Sequence, residues 1–171
     1  MIDERATAGP AGPFGGVTLS LHRATHVTIH ALVKSLARLE LGAAEINVLA
    51  CLAAASPVPA GLLGTATGTK PSTLTSVLDR LAGRGFTARA VDQVDRRSFL
   101  VSLTPAGQAA ADQVSDAIRD LERHALGRVT DAERAGFLAV VRALAEAAAR
   151  HASTLISAAP SSSRASDFTS A

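Results

Sequence analysis

A chain of 171 residues that is 47% apolar but only 3% aromatic, without Trp or Tyr, has one domain's length and a core of Ala and Leu rather than rings. Its formal charge of +2 is unremarkable, and the single Cys51 excludes an intramolecular disulfide framework and suits a reducing cytosol. No apolar run reaches the ~18 residues of a membrane span, and MIDERATAGPAGPFGG begins with acids and lacks an apolar h-region, so neither an anchor nor a signal peptide is expected and the chain reads as cytoplasmic.

Residues 1–16 are rich in Gly, Pro and Ala and read as a flexible N-terminal arm. A helix over 18–40 follows, with Leu21, Ile29, Leu32, Val33, Leu36 and Leu39 on one face. His22, His26 and His30 recur one turn apart along the edge of that face. LGAAEINVLACLAAA (41–55) makes a second helix, with Ile46, Leu49, Cys51, Leu52 and Ala53 largely buried and Cys51 packing as a small hydrophobe. SPVPAGLLGTATGTK (56–70) holds a short, glycine-weakened third helix, with Leu62, Leu63 and Ala66 as a small core-facing stripe. Its break at Thr67-Gly68-Thr69 fits the turn of a helix-turn-helix.

The next stretch, 69–104, is the most distinctive. In TKPSTLTSVLDRLAGRGF, Leu74, Val77, Leu78 and Leu81 fall at i, i+3, i+4 and i+7, a single apolar stripe. The remaining face carries Ser72, Thr73, Thr75, Ser76, Asp79 and Arg80, with Lys70 at its start. Thr69 fits an N-cap, Pro71 is tolerated in the first turn, and Gly83 and Gly85 end the helix. TARAVDQVDRRSFLVSLT then reads as two extended segments joined by a polar turn with Asp92, Asp95, Arg96 and Arg97. From 64 to 104 six cations face three acids, whereas the rest of the chain carries eleven cations and twelve acids. The basic excess is therefore local and points to an anionic partner. From the pattern alone, a DNA-reading helix and hairpin and an ordinary solvated surface both remain open.

Thr104-Pro105 looks like a cap and first position of a helix running to about Leu126 and closed by Gly127. Thr130 and Glu133 form a capping box before the last helix, whose stripe includes Phe137, Leu138, Val141, Leu144, Ala145, Ala148 and Leu155. Residues 158–171 read as a disordered tail. The order is α-α-α-α-β-β-α-α, mainly α with one small hairpin. Three long amphipathic helices in a chain this short leave apolar surface that a second copy can cover.

This order and two motifs resemble the MarR family of transcriptional regulators, over residues 19–155. The more specific motif is Asp95-Arg96-Arg97-Ser98-Phe99-Leu100-Val101-Ser102-Leu103-Thr104-Pro105-Ala106-Gly107, similar to the family's D-x-R wing strand leading into L-T-x-x-G. The other is Ser76-Val77-Leu78-Asp79-Arg80-Leu81 with Arg84-Gly85-Phe86, and Arg89 stands where the family opens its wing with arginine. Gly61 replaces a common acidic residue, and the tip Val91-Asp92-Gln93-Val94 lacks the usual proline or glycine. The resemblance implies one winged helix-turn-helix domain over 17–157, with 17–40 and 105–157 as dimerisation helices and 41–104 as the DNA-binding lobe. It also implies a homodimer on double-stranded DNA, a repressor released from a near-palindromic operator by a small-molecule effector.

On that reading the recognition helix 70–82 enters the major groove, and the wing 86–103 reaches the minor groove. Thr69, Lys70, Ser72, Thr73, Thr75, Ser76, Arg80, Arg96 and Arg97 are the DNA-binding candidates, with Arg97 expected in the minor groove. Asp95 and Arg89 are expected to shape the wing; for Arg84 and Arg89 a salt bridge to Asp95 or Asp92 stands equal to a DNA contact. His22, His26 and His30 are candidate effector-binding residues by resemblance, beside the alternatives of plain helix-edge histidines and a pH response. One metal ion could take two of the three, needing His124, His151 or a partner-chain residue as well, so no metal site and no cofactor are expected. No nucleophile–base pair, phosphate loop or dinucleotide fingerprint argues for an enzyme.

Overall fold

The computed structural model describes residues 16–93, 95–96 and 98–157, with side chains up to His151. The chain falls into two compact units, one reaching to Gly127 and the other starting at Arg128. The first contains α1 (Val17–Ser35), α2 (Ala43–Ala54), β1 (Val58–Pro59), α3 (Ala60–Thr67), α4 (Pro71–Gly83), β2 (Thr87–Val91), β3 (Phe99–Leu103) and α5 (Pro105–Leu126). A single turn of 3-10 helix, Ala37–Leu39, links α1 to α2. The second unit is one helix, α6 (Asp131–Ser157). No helix among the described residues is long and apolar enough to cross a membrane.

The core of the first unit is aliphatic. Ile46, Val48, Leu49 and Leu52 of α2 meet Leu63 of α3, Leu74, Val77, Leu78 and Leu81 of α4, Val101 of β3 and Ala110, Ala111 and Val114 of α5. Each large aliphatic residue removed from water contributes ~1.5–3 kcal/mol, so the four-residue stripe of α4 outweighs its weak N-terminus. Lys70, not Thr69, is the N-cap of α4, and no side chain caps it. The Thr69 hydroxyl instead donates to the Thr67 carbonyl at 3.4 Å, inside the turn that Gly68 makes with φ +63°.

The stripe read for α3 is narrower than expected. Only Leu63 is buried, while Ala66 is exposed and Leu62 is 60% exposed. An eight-residue helix crossing α2 and α4 presents one turn to the core, and Leu63 fills it. Cys51 and Ala53 are partly buried against the core, and α2 turns Val48 inward as well. Burial still pushes the Cys51 thiol above its ordinary range. α1 has no fully buried residue, and Ile29, Leu32 and Val33 pack against the core from one side.

Two strands were expected and three form, in the order β1-β3-β2, all antiparallel. β2 and β3 make the hairpin in the register Thr87↔Leu103, Arg89↔Val101 and Val91↔Phe99. β1 is two residues long and pairs Val58 with Val101, and Leu103 N donates to Ser56 Oγ at 3.1 Å. So short a strand carries no alternation to read in a sequence.

The start of α5 is tied to the base of the hairpin. Thr104 Oγ1 accepts from Gly107 N at 2.9 Å, as an N-cap does. Thr104 N donates to the Phe86 carbonyl at 3.1 Å, and the Thr104 hydroxyl donates to the Gly85 carbonyl. α6 opens with the capping box: Glu133 N donates to Thr130 Oγ1 at 3.3 Å, and Glu133 Oε2 accepts from Thr130 N at 2.8 Å. Those Thr130 hydrogen bonds hold the Glu133 carboxyl below its ordinary range.

Candidate nucleic-acid interface

Burial of Leu74, Val77, Leu78 and Leu81 turns the opposite face of α4 outward. Lys70, Ser72, Thr73, Thr75, Ser76, Asp79 and Arg80 are all exposed, and Thr69 is half-buried behind them. The hydroxyls are not equivalent. Thr75 Oγ1 donates to the Pro71 carbonyl at 3.0 Å and Ser76 Oγ to the Ser72 carbonyl at 3.2 Å. With their protons engaged, these two oxygens present lone pairs, suited to the amino groups of adenine and cytosine. Ser72 and Thr73 lie in the uncapped first turn, where backbone N–H groups also point outward.

The two charged residues at the end of this face are held from opposite sides. Arg89 of β2 reaches back to α4, its Nη2 2.7 Å from Asp79 Oδ1 and 3.3 Å from the Thr75 carbonyl. Arg89 takes Asp79 and Arg84 takes two backbone carbonyls, in place of the Asp92 or Asp95 expected as the alternative to DNA. Arg89 is the central residue of β2, and its side chain reaches across to α4 rather than along the hairpin to the turn. Arg84 donates to the Leu39 and Glu40 carbonyls and stacks 4.8 Å from the Phe86 ring centre. Arg80 is bound on its other flank, Nε to Glu45 Oε1 at 3.0 Å. Neither Glu45 nor the role of Asp79 was singled out from sequence. Glu45 three residues after Gly42 is a readable helix-start signal, but its partner lies 35 positions away.

The wing tip is built by a side chain in place of a proline or glycine. Asp92 Oδ1 accepts from Asp95 N at 3.4 Å and Oδ2 from the Ser98 hydroxyl at 3.3 Å. Asp92 N donates to the Ser98 carbonyl, and Ser98 N to the Asp95 carbonyl at 2.8 Å, closing the turn. Asp95 thus enters the turn through its backbone. Arg96 is exposed beside it, and Arg97 lies outside the described residues, as does Val94.

His22, His26 and His30 are exposed on α1, with the His26 and His30 ring centres 4.7 Å apart. A shallow hollow of about 320 Å³ is lined by His22, Arg23, His26 and Val27. A larger groove of about 510 Å³ runs between α1 and α5, past Leu32, Ser35, Gln113, Asp116, Asp120 and His124. None of the three histidines lines that groove. Among the described residues no group of three or more His, Cys, Asp or Glu is arranged to hold a metal ion.

A helix-turn-helix with a hairpin wing, its second helix buried on one side and polar on the other, defines a winged-helix protein. Known proteins narrow this further. The MarR family model matches residues 41–99, from the start of the α2 lobe into β3. A MarR-family transcriptional regulator from Silicibacter pomeroyi is 33% identical, with 78% of this chain and 90% of that one covered at a TM-score of 0.68. BpsR of Bordetella bronchiseptica, whose DNA binding is regulated by 6-hydroxynicotinic acid, is 26% identical, with 80% and 97% covered at 0.65. The uncharacterized HTH-type transcriptional regulator YwhA of Bacillus subtilis is 33% identical over 76 residues, 44% of this chain. The chain spans about half the length of that curated relative, 55%. The protein belongs to the MarR family, whose members are DNA-binding transcriptional regulators and not enzymes.

Proposed function

We propose that this protein is a homodimeric, sequence-specific DNA-binding repressor, released from a near-palindromic operator by a small-molecule effector. The observation that carries the reading is the division of α4: its whole apolar stripe is buried, and Lys70, Ser72, Thr73, Thr75 and Ser76 are left exposed together. In this reading the first half of α4 meets base edges in the major groove, and Arg96 and Arg97 carry the wing to the minor groove. Arg80 faces a phosphate or a guanine. Asp95 and Arg89 shape the wing rather than touch DNA.

Residues 17–40 and 105–157 supply the dimer contacts in this reading, and 41–104 the DNA-binding lobe. Support comes from apolar side chains exposed on both parts, Val17 and Val27 on α1 and Phe137, Leu138 and Val140 on α6. Two DNA-binding heads related by a two-fold axis require half-sites about one helical turn apart. Release by an effector rests on similarity to BpsR, and His22, His26 and His30 are the candidate contacts, supported by the hollow beside His22 and His26.

The test is a binding titration of the full chain on the duplex upstream of its own gene, at several salt concentrations. Affinity is expected to fall linearly in log–log form, with a slope of about −0.9 per neutralised phosphate. Binding no tighter than to a scrambled duplex would overturn the operator reading.

A further inference from the structure

Glu45 is a buried carboxylate of α2 with two partners, and one of them belongs to the outward face of α4. Its Oε2 accepts from Gly42 N at 2.7 Å, so it closes the start of its own helix. Its Oε1 accepts from Arg80 Nε at 3.0 Å. The Glu45 side chain is 7% exposed and that of Arg80 56%. A guanidinium is a planar fork of five N–H donors, and engaging Nε leaves the two Nη groups on the opposite edge. Arg80 is therefore held by its inner edge while its outer edge faces solvent.

An unrestrained arginine must surrender rotamer freedom on binding, at a cost of about two- to ten-fold in affinity for a side chain of this length. Arg80 has given up that freedom before DNA arrives. The candidates Ser72, Thr73, Thr75 and Ser76 are hydroxyls on short side chains, which need no such restraint.

We propose that Glu45 is a positioning residue for DNA binding, orienting the Arg80 guanidinium so that its Nη edge is presented as an aimed pair of donors. The acceptors are two oxygens of a phosphate or O6 and N7 of a guanine, which offer the same fork-shaped complement. The inference rests on the reading that Arg80 faces DNA, and its test separates the two.

The test uses the full chain and the tightest duplex selected from a randomised pool. Arg80→Ala is expected to weaken binding about ten-fold or more, and Glu45→Ala about two- to ten-fold. In the Arg80→Ala background, Glu45→Ala should weaken it no further. Because Glu45→Ala also uncaps α2, a second variant separates capping from positioning. The Cβ of a residue at 42 would meet only Glu45 Oε2, at 3.3 Å, so Gly42→Ser fits once that carboxylate is gone. The Gly42→Ser/Glu45→Ala protein is expected to recover the melting temperature and to stay weakened on DNA. Wild-type DNA affinity in that protein, or an undiminished Glu45→Ala effect without Arg80, would overturn the proposal. Wild-type affinity for Glu45→Ala alone, with Arg80→Ala weakened, would overturn it and leave the Arg80 contact standing. Wild-type affinity for Arg80→Ala would remove the contact itself. Repeating the selection with Arg80→Ala distinguishes the acceptors. A guanine contact loses preference at one position, whereas a phosphate contact weakens all sequences alike and lowers the salt slope by about one.

Discussion

A Cβ placed on Gly107 would lie 1.7 Å from the carbonyl oxygen of Phe86 and 2.7 Å from its carbon. These are backbone atoms, and the same oxygen accepts from Thr104 N at 3.1 Å, so relief requires moving the hairpin base away from α5. That is the physical content of the L-T-x-x-G pattern: Thr104 caps, and Gly107 lets the strand pass. Gly107→Ala is expected to destabilise the protein by about 3 kcal/mol or more, at or beyond the top of the usual range for overpacking, because the obstruction is backbone. Urea unfolding followed by circular dichroism measures it. The wing arginine offers a residue-scale test of function. Arg97→Ala should weaken DNA binding by ~1–3 kcal/mol. A gel-shift titration giving unchanged affinity would take Arg97 out of the interface.

At the scale of elements, α4 is fixed more by neighbours than by its own ends. Its stripe is buried, its N-terminus has no capping side chain, and adjacent residues Asp79 and Arg80 tie it to β2 and α2. The Arg89–Asp79 bond joins the hairpin to α4, and in the proposed DNA complex it would set the angle between them. Asp79 is 61% exposed, and an exposed pair contributes little stability, ~0.2–1 kcal/mol. A double-mutant cycle on Asp79→Ala and Arg89→Ala should return a coupling in that range for unfolding. On DNA the two substitutions should be non-additive, since either one frees the wing. Additive losses in fluorescence-anisotropy titrations would mean that the bridge does not position the wing. The helices and the hairpin were legible because periods of 3.6 and 2 are written in neighbouring residues. The two ties were not, since each joins side chains brought together only by the fold.

At the scale of the molecule, α6 carries an apolar face with Phe137 at 57% and Leu138 at 53% exposure. In the proposed dimer a second copy covers that face. Phe137→Asp is expected to shift the protein from dimer to monomer in multi-angle light scattering, and to weaken operator binding with it. A wild-type protein that is already monomeric at micromolar concentration would contradict the dimer. Among the readings of the whole chain, the winged fold and the family were legible from the buried stripe of α4, the D-R-R segment and the caps at Thr104 and Thr130. Such features are local: each depends on residues within about one or two turns, and so survives without knowledge of the rest. Tertiary structure alone decided that β1 joins β3, that Arg89 leaves its own hairpin for Asp79, and that Glu45 takes Arg80. Their partners lie 10 to 43 positions apart, and no periodicity connects residues whose meeting depends on how a core of Leu, Val and Ile closes.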